Sequence, residues 1–301
     1  MQDITLPAIM AQLSVGLING CFYAMLSMGL AIIFGLLNII NFTHGAQFMM
    51  AAFLTWIGFT QLPEWLGNQG MQLNFWLALV VVPVAVAAFG IVIEKTLLKR
   101  LYQLDHLYGL LLTFGIALIM QGAFRYFYGI SGMSFEPPEL LSGGVDLGFM
   151  FLPIYRLFVV VASLAICVCT WYLFERTRLG AYLRAGTENP KLLQAFGVNV
   201  PLLVTLAYGF GVGLAGLAGV LAAPVMQITP LMGANLLNIV FAVVVIGGLG
   251  SIAGAALTGI GLGLIEGLTK TFYPEASTVV VFVIMALVLL MRPAGLFGKE
   301  A

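Results

Sequence analysis

ERTRLGAYLRAGTENPKLLQAFGVNV, residues 175–200, is a polar stretch in a chain that otherwise hardly meets water. It carries Arg176, Arg178, Arg184 and Lys191. A short helix is written inside it. Asn189 is a natural N-cap, because its side-chain oxygen can accept a backbone N–H that the first turn leaves unpaired. Pro190 suits the first helical position, where a missing N–H loses no partner. Pro190 to Phe196 then gives about two turns, with Leu192, Leu193 and Phe196 apolar and Gly197 as the stop. A capped helix this small, isolated between apolar spans, needs a surface to press against. Two readings stand at this point. The stretch docks a separate motor protein, or it is an ordinary basic loop that fixes orientation.

The surroundings decide the class. Hydrophobic residues make up 61% of the chain and charged residues 8%, where a soluble domain carries about 25% charged. Mean hydropathy is +1.08. The chain is therefore expected to be an all-α polytopic membrane protein. Its 36 glycines suit helices whose backbones approach closely. A net charge of zero gives a nucleic-acid partner no electrostatic footing. Cys21, Cys167 and Cys169 all lie in apolar runs and read as small core residues, not as a metal or disulfide framework. The N-terminal MQDITLP has no basic n-region, so no cleavable signal peptide is expected.

About nine apolar segments can be marked, at 8–37, 44–60, 74–93, 107–124, 154–174, 202–223, 236–248, 252–270 and 277–291. A crossing takes roughly 20 residues to span about 30 Å of hydrocarbon. The first segment is long for one crossing and the seventh is short. Both predict broken or re-entrant helices, which at membrane depth must line a cavity or be buried in protein. With the loops after segments three and five and the C-terminus placed inside, nine basic residues fall there: Lys95, Lys99, Arg100, Arg176, Arg178, Arg184, Lys191, Arg292 and Lys299. Arg125, Arg156 and Lys270 fall outside. That asymmetry sets the orientation of the loops and puts the N-terminus outside, unless segment one is split into two crossings, which reverses it. The outer loops, 61–72 and 129–153, are acidic and proline-bearing, and can both connect spans and receive a partner.

Two stretches interrupt the apolar pattern. NIINFTHGAQ, residues 38–47, holds Asn38, Asn41, Thr43, His44 and Gln47. PLMGANLLN, residues 230–238, holds Asn235 and Asn238 and is followed by Gly247-Gly248-Leu249-Gly250-Ser251 and Gly254. Polar side chains at membrane depth face a bundle interior or a pathway, and interrupted segments in matching halves point to a transport site. Asn41, His44, Gln47, Asn235 and Asn238 are therefore the candidate path residues. The same side chains can equally pair across helices and simply hold the bundle. Gly209 with Gly213, and Gly259, Gly263 and Gly267, recur at intervals of four and read as packing faces. Glu266 sits in an apolar run with Lys270 one turn on as a local partner.

Several chemistries have no motif here. There is no GxxxxGK[ST] phosphate loop, no HExxH and no metal-ligand spacing, so no cofactor, metal or catalytic residue is assigned. Gly129-Ile130-Ser131-Gly132 matches the GxSG of rhomboid-type intramembrane serine proteases. Its histidine partner would have to be His44 or His106, and both precede the serine. An ion-coupled secondary carrier is the stronger alternative, with Glu266 as its nearly solitary membrane carboxylate.

Five stretches carry a family resemblance: Ile39-Ile40-Asn41-Phe42-Thr43-His44-Gly45; Ile93-Glu94-Lys95; Gly180, Arg184, Ala185, Gly197 and Val198; the GGLGS run with Gly254; and Arg292-Pro293-Ala294-Gly295-Leu296. Over nearly its whole length the chain resembles the permease subunits of bacterial ABC importers for branched-chain amino acids, and within that heterodimer the smaller type. The resemblance implies an ABC importer permease fold of about 8–9 transmembrane helices with broken segments, as a single domain over 1–301. It makes 175–200 a cytoplasmic coupling loop and 190–196 a coupling helix seated in an ATPase groove, with Gly180, Arg184, Asn189, Pro190, Leu192, Leu193, Phe196 and Gly197 forming that contact. The implied partners are a second, homologous permease, two cytoplasmic ATPase subunits, a periplasmic substrate-binding protein and the lipid bilayer. The implied location is the bacterial inner membrane, with the C-terminus cytoplasmic. Relatives in that superfamily carry urea, short amides or aromatic acids, which leaves the solute open.

Overall fold

The computed structural model describes residues 5–37, 40–65, 74–102, 104–146, 148 and 150–298. In chain order these form α1 (Leu6–Leu37), α2 (Thr43–Trp65), α3 (Phe75–Thr96), α4 (His106–Tyr128), the strands β1 (Gly144–Asp146) and β2 (Phe151–Pro153), α5 (Ile154–Arg176), α6 (Arg178–Glu188), α7 (Pro190–Ala195), α8 (Val200–Ala222), α9 (Met232–Gly247), α10 (Ile252–Phe272) and α11 (Val280–Met291). Among the described residues six helices are long and apolar enough to cross a membrane, and α9 and α11 are shorter apolar helices. The chain is an all-α polytopic membrane protein. Helix starts follow local chemistry: Asn74, Asp105 and Ser251 accept backbone N–H groups of α3, α4 and α10 at 3.1, 2.9 and 3.1 Å.

The expected break in the first segment is not inside α1, which runs unbroken for 32 residues. At 1.5 Å per residue that is about 48 Å, more than one bilayer thickness, and a long helix can tilt or protrude without breaking. The interruption falls after it, before Thr43; Asn38 lies outside the described residues.

The chain divides into two compact units, residues 32–136 with 173–237, and residues 1–31 with 137–172 and 238–301. In the first, α8 packs on α2 and α3. Small residues make the approach possible. A methyl on Gly216 would lie 2.8 Å from the Cα of Pro83, and one on Gly219 would strike the Phe48 carbonyl. Gly90 faces Val212 and Gly209 faces Ile91, so α3 and α8 run antiparallel with side chains seated against glycines. At the end where α3 stops and α8 starts, Glu94 is buried. It accepts hydrogen bonds from Thr205 Oγ1 at 2.8 Å and from Tyr102 Oη, in the turn after α3, at 2.6 Å. The α3–α4 turn and the start of α8 therefore share one end. At the other end Tyr128 meets Phe53 and Trp56, with ring centroids 5.3 and 5.8 Å apart. There Met133 also bridges to Ile228. Five residues further on, Gly233 lies backbone to backbone against Gly45 in the first turn of α2. The chain thus dips back between α8 and α9. Helix α9, at 16 residues, reaches only about 24 Å. This is the interrupted segment that the short seventh apolar run predicts.

In the second unit α1 and α10 run antiparallel with Gly16 against Gly263 and Gly267, and Gly259 against Ala24. Glu266 accepts from Tyr23 Oη and from Lys270 Nζ, each at 2.6 Å, so its predicted local partner is in place. The GGLGS and RPAGL stretches, far apart in sequence, meet: Leu296 N–H donates to the Ile246 carbonyl at 2.8 Å. Gly295, at φ +81°, lies against Gly248, at φ +97°, where only glycine fits both the backbone conformation and the approach. Helix α9 is held at its end by the chain's own C-terminal turn.

Candidate functional site

Two constellations lie in the unit built on α2, α3 and α8. The first is the stretch after α5. It holds more helix than the sequence announces, because α6 precedes α7 and occupies Arg178–Glu188. Gly180 is pressed against the Phe174 carbonyl, leaving no room for a Cβ. Arg184 Nη1 donates to that same carbonyl at 2.8 Å and stands 3.5 Å from Glu175 Oε2. Gly180 and Arg184 thus brace the elbow between α5 and α6. The Phe174 ring packs on Phe210 of α8 with centroids 5.3 Å apart.

Helix α7 begins as its residues dictate. Asn189 Oδ1 accepts from Leu192 N–H at 3.0 Å, and Pro190 holds the first position. Phe196 is the C-cap, and Gly197 at φ +81° turns the chain out of the helix. The helix is two-faced. Leu193 is 7% exposed, while Leu192 is 55% and Phe196 77% exposed. Leu183 of α6 and Val200 of α8 are buried along with Leu193. A side chain at Gly186 would meet both Leu193 and Val200. Asn199, unmarked in the sequence reading, caps α8 by accepting from Leu202 N–H at 3.2 Å. The segment from α6 to α8 is thus one braced lever with two apolar side chains turned outward.

The second constellation surrounds the start of α2. Asn41, Thr43, His44 and Gln47 are all buried. Asn41 Oδ1 accepts from the Thr43 N–H at 3.1 Å and from the Thr43 hydroxyl, while Asn41 Nδ2 donates to Tyr208 Oη of α8 at 3.1 Å. Thr113 of α4 pins the turn by accepting from Phe42 N–H and donating to the Ile40 carbonyl, each at 3.2 Å. Gln47 points its amide toward the Tyr208 hydroxyl without completing a hydrogen bond to it. Asn235 and Asn238 stand on the exposed side of α9. Three of the five candidate path residues are therefore gathered in one buried polar patch, and two are not part of it. The sequence reading missed Tyr208 and Thr113, whose neighbours along the chain read as ordinary packing surface.

The serine-protease alternative loses its geometry. Ser131 lies beyond the end of α4 and His106 opens that helix. At 1.5 Å per residue the two stand about 35 Å apart. His44 is far from Ser131 as well, because Phe42 packs on Phe114 near the middle of α4 while Phe59 packs on Phe135, beyond the end where Ser131 lies.

Comparison with known proteins follows the same line. Residues 12–289 match the family described as the permease component of branched-chain amino acid transport systems. The chain is 31% identical to the high-affinity branched-chain amino acid transport system permease protein BraD of Pseudomonas aeruginosa, over 96% of this chain and 95% of that one. It is 26% identical to the corresponding permease protein LivH of Escherichia coli, over 94% of each. It is also 26% identical to a probable LivH of Methanocaldococcus jannaschii, over 92% of this chain and 88% of that one. No solved structure matches the chain.

Proposed function

The chain belongs to the permease components of branched-chain amino acid transport systems, and from that premise we propose that it lines the inner-membrane path of an ABC importer for branched-chain amino acids. Its near-complete match to branched-chain amino acid permeases carries this reading. Both units act as one transmembrane permease domain. A second, homologous permease completes the path. A periplasmic binding protein delivers the solute at the acidic outer loops. Two cytoplasmic ATPases bind the lever and supply the work. Residues 175–200 and the C-terminus face the cytoplasm.

The lever suits the task. Leu192 and Phe196 offer an apolar contact to an ATPase groove, and buried Leu193 makes α7 move as one piece with α6 and α8. ATP binding closes the ATPases, α7 follows its groove, and the packed helices shear or tilt. Swinging a population from 1:99 to 99:1 takes about 5.5 kcal/mol of preference for one state. The permease needs no tight solute site of its own. Asn41, His44 and Gln47 stand near the path as a buried polar patch behind its wall, and Asn235 and Asn238 are near it on the exposed side of α9.

The test is uptake of radiolabelled leucine by sealed proteoliposomes. With the second permease, the ATPases and the binding protein present, uptake requires ATP and is competed by unlabelled isoleucine and valine but not by urea. Leucine accumulation by vesicles that hold this chain alone, driven by an ion gradient, overturns the reading in favour of a secondary carrier.

A further inference from the structure

Glu94 is buried on all sides, and among the described residues no basic side chain pairs with it. Its two oxygens are divided between two elements: Oε2 takes the Thr205 hydroxyl of α8, and Oε1 takes the Tyr102 hydroxyl of the α3–α4 turn. Burial, with Glu94 beside it, holds the Tyr102 proton on well beyond the usual tyrosine range, so Tyr102 remains a donor. Next to this joint Val212 of α8 seats against Gly90 and Ile91 of α3 against Gly209, and further along Pro83 lies against Gly216. The backbones lie close along this seam without a polar contact from these residues, and packed helices of this kind move by small shear steps. Hydrogen bonds to one carboxylate resist both pulling and sliding, because they weaken steeply with distance and angle.

Position gives the joint its meaning. Thr205 lies in the second turn of α8, immediately after the lever. Tyr208, three residues on and on the same helical face, receives the Asn41 amide. One face of α8 therefore has two fixed points, one to α3 and the α3–α4 turn and one to the buried polar patch of α2. We propose that Glu94 is a positioning residue: held by Thr205 and Tyr102, it makes α3 and the α3–α4 turn follow α8 when the lever moves. This rests on the permease reading above and adds the route by which the movement spreads.

The experiment uses the complete transporter in proteoliposomes and reads leucine moved per ATP hydrolysed. Thr205→Val keeps the volume and removes the hydroxyl; Thr205→Ser restores the hydroxyl; Tyr102→Phe removes the other donor. Thr205→Val and Tyr102→Phe are expected to lower the ratio about tenfold, within the usual range of coupling between sites. ATPase stimulation by the binding protein persists in both, and Thr205→Ser returns the ratio to that of the wild type. A wild-type ratio in Thr205→Val, including a proportional fall of uptake and hydrolysis together, overturns the proposal. So does a Thr205→Ser variant as defective as Thr205→Val, which would assign the effect to packing. A wild-type complex that moves no leucine with ATP sinks the permease reading itself, and that result is visible before any variant is made.

Discussion

Tyr208 shows how one side chain can organise a polar patch inside an apolar body. It is fully buried in α8, and its hydroxyl takes the Asn41 amide at 3.1 Å while facing Thr43 and Gln47. Removing either partner strands the other in a medium without water, and a stranded buried donor costs about 1–3 kcal/mol. Hydrogen bonds between membrane helices couple by less, on the order of 0.6 kcal/mol on average, because the unfolded chain in lipid also finds partners. Tyr208→Phe and Asn41→Leu are therefore each expected to destabilise the protein by about 1–2 kcal/mol in SDS-driven unfolding from mixed micelles. The double variant is expected to fall short of their sum by about half a kcal/mol or more. Strict additivity would show that the two groups do not interact. None of this could be read along the chain. Asn41 and Tyr208 are 167 residues apart, as Glu94 and Thr205 are 111 apart, and a tyrosine in a glycine-rich apolar run looks like packing. What the sequence did disclose at this scale was the polarity of 38–47 itself, because Asn, His and Gln have no reason to sit at membrane depth without a partner.

At the scale of elements, α7 and α6 make an instructive pair. Helix α7 was legible because Asn189, Pro190 and Gly197 each act through their own backbone. Helix α6 was not, because Thr177 makes no side-chain cap and the charges around it read as a loop. The element is held by contacts the sequence does not advertise, with Gly180 and Arg184 both on the Phe174 carbonyl. The two leucines of α7 separate stability from docking. Leu193, buried, should cost about 2 kcal/mol or more when cut to Ala, as other buried leucines do. Leu192→Asp and Phe196→Asp change only exposed surface, where stability moves by about half a kcal/mol or less. Their expected effect is loss of the ATPase on copurification, with insertion and melting temperature unchanged. An intact ATPase complex in the Phe196→Asp, Leu192→Asp double variant would remove α7 from the interface. Gly180→Ala should fail in a third way. Its methyl collides with the Phe174 carbonyl, so the α5–α6 elbow opens and both stability and docking fall.

For the molecule as a whole the decisive quantity is which end faces the cytosol. Within the unit of α2, α3 and α8, Glu94 binds Thr205 at one end while Met133 bridges Ile228 at the other. The loop after α3 and the lever before α8 therefore lie on the same side. Lys95, Lys99, Arg100, Arg176, Arg178, Arg184 and Lys191 gather at that end, against Arg125 at the other. Each basic residue near an anionic leaflet contributes about 1 kcal/mol, so this end has a far stronger pull toward such a leaflet than the end that holds Arg125. The proposed orientation, with this end in the cytosol, can be measured without transport. In a background with Cys21, Cys167 and Cys169 replaced, Glu136→Cys and Lys191→Cys place thiols on exposed residues at opposite ends of the same unit. A membrane-impermeant maleimide is expected to label Glu136→Cys on intact spheroplasts and Lys191→Cys only on inverted vesicles. Labelling of Lys191→Cys from the periplasmic side would separate α7 from every cytoplasmic ATPase. The chain would then have to move its solute by some other source of work, because its outward apolar lever would face the wrong compartment.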